Sequence, residues 1–353
     1  MKDLTTIGID IAKNYIQLHG KDSKGKTVLK KRLTRNKFLT FMANIPKCLV
    51  GMEACAGANF WAHELIKLGF EPKLISPRRV KMFVICQKND DKDAEAVCIA
   101  VSRADMRFVP LRTKDQMDIQ AIHRIRSFFI KQKTALMNMI RGLLLENGIA
   151  IPKGKAALVD RIESLLCSDD DRVSEAMKDM LRGVYKSLEE TEIYINQHKD
   201  KLEQLADEDE LCQRIMTLPG VGPITASAMM SKIGNGSEFK NGRELSAYLG
   251  LVPKQHSSGE KEILGRITKH GDRYIRQLLV HGGRSAVKSA MKKNKKTDLF
   301  EKIDEHSQWI RKLCNRVGKN KTSVAVANKN ARMIVALLKN QTQFVPTLAH
   351  GNF

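Results

Sequence analysis

Between residues 4 and 117 the hydrophobic pattern changes period repeatedly, whereas from about Asp118 onward it is helical and long. That switch limits the chain to an α/β part followed by an α part. "TTIGID", "YIQLHG" and "TVLKKRLT" are short runs of β type, separated by turn signals such as "KDSKGK". Asn36 then opens a helix-like segment, "NKFLTFMANI". "CLVGME" reads as a fourth strand, "ANFWAHELIKLG" as a helix ended by Gly69, and "PKLISP" as a fifth strand bounded by Pro72 and Pro77. The order βββαβαβ predicts a mixed sheet with helices on its faces.

Beyond Asp118, "DIQAIHRIRSFFIKQKTALMNMIRGLLLENG" carries Ile122, Ile125, Phe129, Leu136, Ile140 and Leu143 on an apolar stripe, with Arg and Lys between them. Further on, Met177, Leu181, Val184, Leu188, Thr191, Ile195, His198, Leu202 and Leu205 alternate spacings of four and three, a heptad seam that predicts a coiled coil. Thr191 and His198 share one heptad position, where polar groups set register or partner number; His198 reads as a seam residue rather than a metal ligand. The turn in "LPGVGPITASAMMSKIG" resembles a helix-hairpin-helix, in which Gly220 and Gly222 would expose backbone N–H groups to a phosphate. An ordinary tight turn between packed helices is the equal alternative. The expected parts are residues 1–117, 118–206 and 207–353.

At 353 residues the chain exceeds one ordinary core. The start lacks the pattern of a secretory leader and no run of about 18 apolar residues occurs, so no membrane partner is expected. Seven cysteines without a C-x-x-C pair indicate neither a zinc site nor a disulfide framework, and suit buried thiols in a reducing cytoplasm. With 61 Lys and Arg against 39 Asp and Glu, the net charge of +22 points to a polyanion as partner. The charge is uneven: residues 251–300 hold 12 basic and 4 acidic side chains, residues 161–210 hold 7 and 15.

Against that background four acids stand out. Asp10 and Glu53 each end an apolar strand-like run, so if those strands are neighbours their carboxylates converge at the sheet edge. Asp90 and Asp93 in "QKNDDKDAEAVCIA" stand at i and i+3 on the first turn of a helix. Singly, such residues are turn or helix-start acids. Gathered together they would repel one another unless divalent cations lay between them, and hard oxygen ligands favour Mg2+ or Mn2+. Two ions about 4 Å apart suit phosphodiester chemistry. Asp91 and Glu95 read as solvated helix-start charges.

"GIDIAK", "GMEACAG" and "KNDDKDAEA" resemble the RuvC-like catalytic domain of the DEDD insertion-sequence transposases, an RNase H-like fold. The resemblance extends through "RFVPLRT", "IHRIRS", "IRGLLLENGI", "LPGVGPITA" and "YLGLVPKQHSSGEKEILGRITKHGDRYIR", nearly the whole chain. It implies an RuvC-like domain at residues 1–117, a helical, dimerising coiled coil at 118–206 and a mainly helical transposase domain at 207–353. One departure is visible: many relatives read Glu-Ala-Thr-Gly where this chain has Glu53-Ala54-Cys55-Ala56-Gly57.

Ser257 and Ser258 lie on a polar loop after Pro253, among Lys254, Lys261, Arg266, Lys269, Arg273 and Arg276. By residue type alone this is a surface turn. The resemblance implies that a serine just before Gly259 is the nucleophile that joins covalently to DNA; Ser258 matches best and Ser257 is the near alternative. It further implies a 5′-phosphoserine intermediate, strand exchange through a Holliday-junction-like state, a structured guide RNA transcribed from the element, and dimers that become tetramers on DNA. The expected location is the bacterial cytoplasm, at the nucleoid. The helix around His123, Arg124, Arg126, Lys131 and Lys133, and the tail "KSAMKKNKK", are expected to grip strands. The second reading is a junction-resolving or RNase H-like nuclease without a covalent intermediate, and the third a non-catalytic nucleic-acid scaffold.

Overall fold

The computed structural model describes residues 3–84, 90–168, 170–258, 261–292 and 304–346, with the side chain of Asp90 outside that description. The chain divides into two compact units, Met1–Thr113 and Lys114–Phe353.

In the first unit the strands β1 (Leu4–Ile11), β2 (Tyr15–Asp22) and β3 (Thr27–Thr34) form an antiparallel meander. Helix α1 (Arg35–Ala43) follows, then β4 (Leu49–Glu53), α2 (Ala58–Lys67) and β5 (Glu71–Ile75). A single turn α3 (Pro77–Val80), helix α4 (Asp90–Val101) and the short β6 (Phe108–Val109) complete it. The sheet order is β3-β2-β1-β4-β5-β6, with β1, β4 and β5 parallel and β6 antiparallel to β5. The expected βββαβαβ order and mixed sheet are present. Pro72 lies within β5 rather than at its boundary, paired with Val50.

Alternation along the strands explains the layers. Ile7, Ile9, Val50 and Met52 are fully buried and pack with Phe38, Met42, Trp61 and Leu65 of α1 and α2. The opposite face carries Gly8 and Gly51 in register, and α4 lies across them. A Cβ on Gly8 would stand 2.1 Å from the Ala94 carbonyl oxygen, and one on Gly51 would stand 2.7 Å from the Val101 side chain. Glycine is required here by close approach of helix to strand.

The second unit begins with α5 (Lys114–Glu146), α6 (Lys155–Leu166) and α7 (Glu175–Glu208). Phe129 of α5 stacks on Tyr194 and meets His198, while Lys133 pairs with Glu192, so the two long helices run antiparallel. Leu181 and Leu188 of the seam are buried in one cluster with Ile140 and Leu144 of α5. The heptad stripe is thus covered within the chain.

Short helices α8 (Glu210–Met216), α9 (Pro223–Ile233) and α10 (Gly242–Tyr248) lead to a hairpin of β7 (Pro253–Ser258) and β8 (Lys261–Ile267). Then come α11 (Arg273–Met291), α12 (Glu305–Val317) and α13 (Lys319–Asn340). Side-chain caps from Ser174, Asp209, Asn241, Asp272 and Asp304 start α7, α8, α10, α11 and α12. Helix α9 is buried along most of its length, its small residues letting α5, α7, α8 and α11 pack around it. Of the cysteines, Cys98, Cys212 and Cys314 are buried, while Cys167 is exposed and Cys48 and Cys55 are half-buried. Cys86 lies outside the described residues. Among the described residues no helix is long and apolar enough to cross a membrane.

Candidate active site

Register places the first two acids together. The last printed pair between β1 and β4 is Ile9 with Met52, so Asp10 and Glu53 follow it at the ends of adjacent parallel strands. Each lies two residues beyond a glycine on the face covered by α4, and each is half-buried. Helix α4 runs from Gly8 toward the start of β1: the Gly8 contacts are Ala94 and Cys98, and the Cys98 thiol donates to the Thr6 carbonyl at 3.8 Å. Its first turn therefore points to the end of the sheet that carries Asp10 and Glu53. Asp93 stands one turn before Val97, which covers Gly51, and so belongs to the β4 side of the helix.

Asp91 and Glu95 take the other side, one turn apart. Asp91 accepts from Gln17 Nε2 and Lys30 Nζ, both at 3.2 Å. Glu95 lies 3.9 Å from His19 Nε2 and 4.0 Å from Lys21 Nζ. They are not free helix-start charges as the pattern suggested; they fasten α4 to β2 and β3.

The electrostatics show that the two strand-end acids share one neighbourhood. Burial pushes the Cys55 thiol pKa up, and the Glu53 and Asp10 carboxylates push it further, with Arg35 opposing them. Arg35, at the start of α1, donates to the carbonyls of Ala12 at 3.1 Å and Lys13 at 3.3 Å, and stacks over Trp61. It anchors the chain just past Asp10. No sequence signal singled it out, because its partners are backbone carbonyls more than twenty residues away.

Two half-buried carboxylates on rigid strand ends, with a third acid on the adjoining helix turn, are hard oxygen donors of the kind that Mg2+ or Mn2+ takes. Among the described residues no three His, Cys, Asp or Glu side chains close on one point. The helix places the Asp90 backbone on the same first turn as Asp93.

In the second unit Ser257 and Ser258 end β7, exposed, where Ser257 pairs with Glu262 and Ser258 with Lys261. The expected loop is a β-hairpin, whose intervening Gly259 and Glu260 lie outside the described residues. The Ser257 hydroxyl accepts from Gln255 Nε2 at 3.0 Å. Lys254, Lys261, Arg266, Lys269 and Arg273 are all exposed. Arg276 is not: it is buried, and donates to the carbonyl of Leu249 at 2.9 Å, where α10 ends. That is a packing role, and it removes Arg276 from the nucleic-acid face.

Along α5, Arg124 and Lys131 are exposed and Arg126 is half-buried. His123 departs from the expected basic grip, since it is buried between Tyr274 and Ser227 at 3.0 and 3.1 Å. Lys133 is held by Glu192 at 2.6 Å. Gly220 sits in a left-handed turn with its backbone against Gly282 of α11, which accounts for that glycine by packing; Gly222 is exposed at the start of α9. The basic tail "KSAMKKNKK" leaves the described residues after Lys292.

Comparison with known proteins finds matches along nearly the whole chain. A transposase model of the DEDD IS110 kind matches residues 7–148, and a model described as the transposase IS116/IS110/IS902 family matches residues 212–298. The chain is similar to a probable family 20 transposase of Pseudomonas aeruginosa, 39% identical over 98% of this chain and 99% of that protein. It is also similar to the transposase for insertion sequence element IS1111A of Coxiella burnetii, 40% identical over 98% and 92% respectively. The transposase for insertion sequence element IS1328 of Yersinia enterocolitica is 36% identical over 98% and 99%. With the fold, the strand-end acids and near full-length similarity in agreement, the chain belongs to the IS116/IS110/IS902 family of insertion-sequence transposases.

Proposed function

We propose that this transposase cuts and rejoins DNA through a covalent serine intermediate, with Asp10, Glu53, Asp90 and Asp93 holding Mg2+ or Mn2+ and Ser258 as nucleophile. The observation that carries the reading is the adjacency of Asp10 and Glu53 on the sheet face that α4 covers. The three parts at residues 1–117, 118–206 and 207–353 serve as catalytic, assembly and serine-bearing regions. A bound divalent ion supplies charge neutralisation to phosphate oxygens on which negative charge builds. The chain's own contribution is to fix the carboxylates on strand ends and, through Arg35, to hold the backbone beyond Asp10.

In the reaction the Ser258 oxygen forms a bond to phosphorus and the bond from phosphorus to the 3′ oxygen breaks. The hydroxyl proton passes, by way of solvent, to the departing 3′ oxygen. The products are a 5′-phosphoserine and a free 3′ hydroxyl. A second 3′ hydroxyl reverses the step on another strand, so the number of phosphodiester bonds is conserved and no nucleotide is hydrolysed.

A structured non-coding RNA pairs with donor and target DNA in this reading, and the protein holds backbones; the net charge of +22 and the exposed Arg124, Lys131, Lys254, Lys261, Arg266, Lys269 and Arg273 support it. The work is done at the nucleoid. Assembly into dimers, and tetramers on DNA, uses the outer faces of the α5–α7 pair, because the inner seam is filled; Ile125, Phe128, Met139, Met180 and Ile193 are exposed there.

The test incubates the protein with Mg2+ and DNA spanning the junctions that flank its reading frame, followed by denaturing electrophoresis. A protein–DNA adduct that Ser258→Ala removes and Ser257→Ala retains supports the proposal. Cut ends without an adduct would establish the nuclease reading instead.

A further inference from the structure

Beyond the serine hairpin, the second unit contains a groove of about 1420 Å³ between β8 and the helices α12 and α13. This exceeds the roughly 300–1,000 Å³ that encloses a drug-sized ligand. Arg266, Lys269, Lys321, Lys329 and Arg332 line it together with Trp309, and none of its described lining residues is acidic.

Two features make this cationic lining costly when no anion is present. Helix α13 starts at Lys319 with Gly318 before it, no side-chain cap and no acid in its first turn. Lys319 and Lys321 instead put positive charge at the positive end of the helix dipole, the reverse of the usual preference. The second feature is Lys329. Burial and the neighbouring Arg332 both lower its pKa, and its ammonium lies 4.3 Å over the Trp309 ring. Cations crowded beside a helix N-terminus with an aromatic surface among them are the surroundings a phosphodiester chain stabilises.

We propose that this groove holds a single strand of nucleic acid, its phosphates against Arg266, Lys269, Lys321, Lys329 and Arg332 and an unpaired base against Trp309. Because Arg266 lies on β8 of the hairpin and Lys269 follows that strand by two residues, the bound strand leads to Ser257 and Ser258. In that last respect the inference deepens the reading of Ser258 as nucleophile; the binding itself does not depend on it.

The experiment uses the full chain and a labelled 12-nucleotide strand in three forms: single-stranded DNA, single-stranded RNA and DNA duplex. Fluorescence anisotropy at several salt concentrations gives affinity and salt slope. Lys321→Gln with Lys329→Gln is expected to weaken single-strand binding about tenfold and to lower the salt slope by about 1.4, the value for two phosphate contacts. Lys186→Gln with Lys201→Gln, the same charge change on exposed α7, is expected to change affinity less than twofold.

Amine-reactive footprinting of the unaltered protein serves as the second measurement, independent of how the variants fold. Lys321 and Lys329 should be protected by the single strand and Lys186 should not. A stronger effect with RNA assigns the groove to a guide strand, and a stronger effect with DNA assigns it to the strand being cut; either supports the proposal. Equal loss in both double variants, protection by duplex alone, or no protection of Lys321 and Lys329 overturns it. None of these readouts involves cleavage, so failure of the groove leaves the Ser258 reading standing, and the reverse holds too.

Discussion

Gly8 and Gly51 face one another across two parallel strands, and α4 rests directly on both. The absence of two side chains brings the first turn of that helix, with Asp93, to the sheet end that carries Asp10 and Glu53. A methyl group at Gly8 would fall 2.1 Å from the Ala94 oxygen, well inside contact distance, and the obstructing atom is backbone. Gly8→Val is therefore expected to destabilise the fold by about 3 kcal/mol, at the upper end of overpacking effects, and to abolish recombination. Urea unfolding measures the first and the adduct assay the second.

Asp10 and Glu53 push the neighbouring Cys55 thiol in the same direction, so the two carboxylates belong to one electrostatic neighbourhood. Removing one charge should cost no stability while ending activity. Asp10→Asn and Glu53→Gln are expected to unfold at or slightly above the temperature of the parent protein and to form no adduct. If the carboxylate set holds the ion as proposed, added Mg2+ should raise the melting temperature of the parent and not of either variant. Thermal melts with and without the ion decide this.

His123 gives the fold a specific acid sensitivity. Burial, aided by the charge of Arg126, pushes its pKa down to about 4 from an ordinary 6.5. Ser227 commits its proton to the Pro223 carbonyl at 2.8 Å, so it accepts from His123 Nε2–H, and Nδ1 accepts from the Tyr274 hydroxyl. The unfolded chain binds the proton more readily than the folded one. The stabilisation is complete above about pH 6.5 and is lost as pH falls toward 4, by roughly 3 kcal/mol in all. Denaturant midpoints measured across that window should fall, and His123→Asn should flatten the slope.

Two arginines three residues apart should behave in opposite ways. Arg276 is buried and donates to the Leu249 carbonyl, so Arg276→Gln is expected to cost about 2 kcal/mol through the acceptor left unpaired. Arg273 is exposed, and Arg273→Gln is expected to leave stability within about 0.5 kcal/mol while lowering the salt slope of DNA binding by about 1. Chemical unfolding and salt titration of DNA binding separate the two.

Period and strand-end chemistry made much of the first unit legible. Alternating Ile7, Ile9, Val50 and Met52 mark strands with one covered face, and an acid that terminates such a run is conspicuous. The helical stripe from Met177 to Leu205 was equally plain, but a heptad seam does not reveal whether its cover is another chain or a helix of the same one; here it is α5. The sequence pattern placed His123 and Arg276 with solvent-facing cations because their partners are remote or are backbone atoms: Ser227 lies 104 residues from His123, and Tyr274 lies 151. Asp91 and Glu95 escaped for the same reason, their partners being on β2 and β3. The hairpin did carry a local signal, a glycine-led pair between two runs that differ in length by one residue, which the abundance of polar residues around it obscured.

The antiparallel pairing of α5 with α7 also has a metric meaning. A helix of 34 residues extends about 50 Å, close to fifteen base pairs of duplex rise. Buried leucines and the Lys133, Lys155 and Glu192 cluster tie it to α5 and α6 and brace it against bending. Whatever grips nucleic acid near one tip is thereby kept a fixed number of helical turns from whatever grips it near the other, and inserting or deleting a heptad would change that gauge by roughly 10 Å.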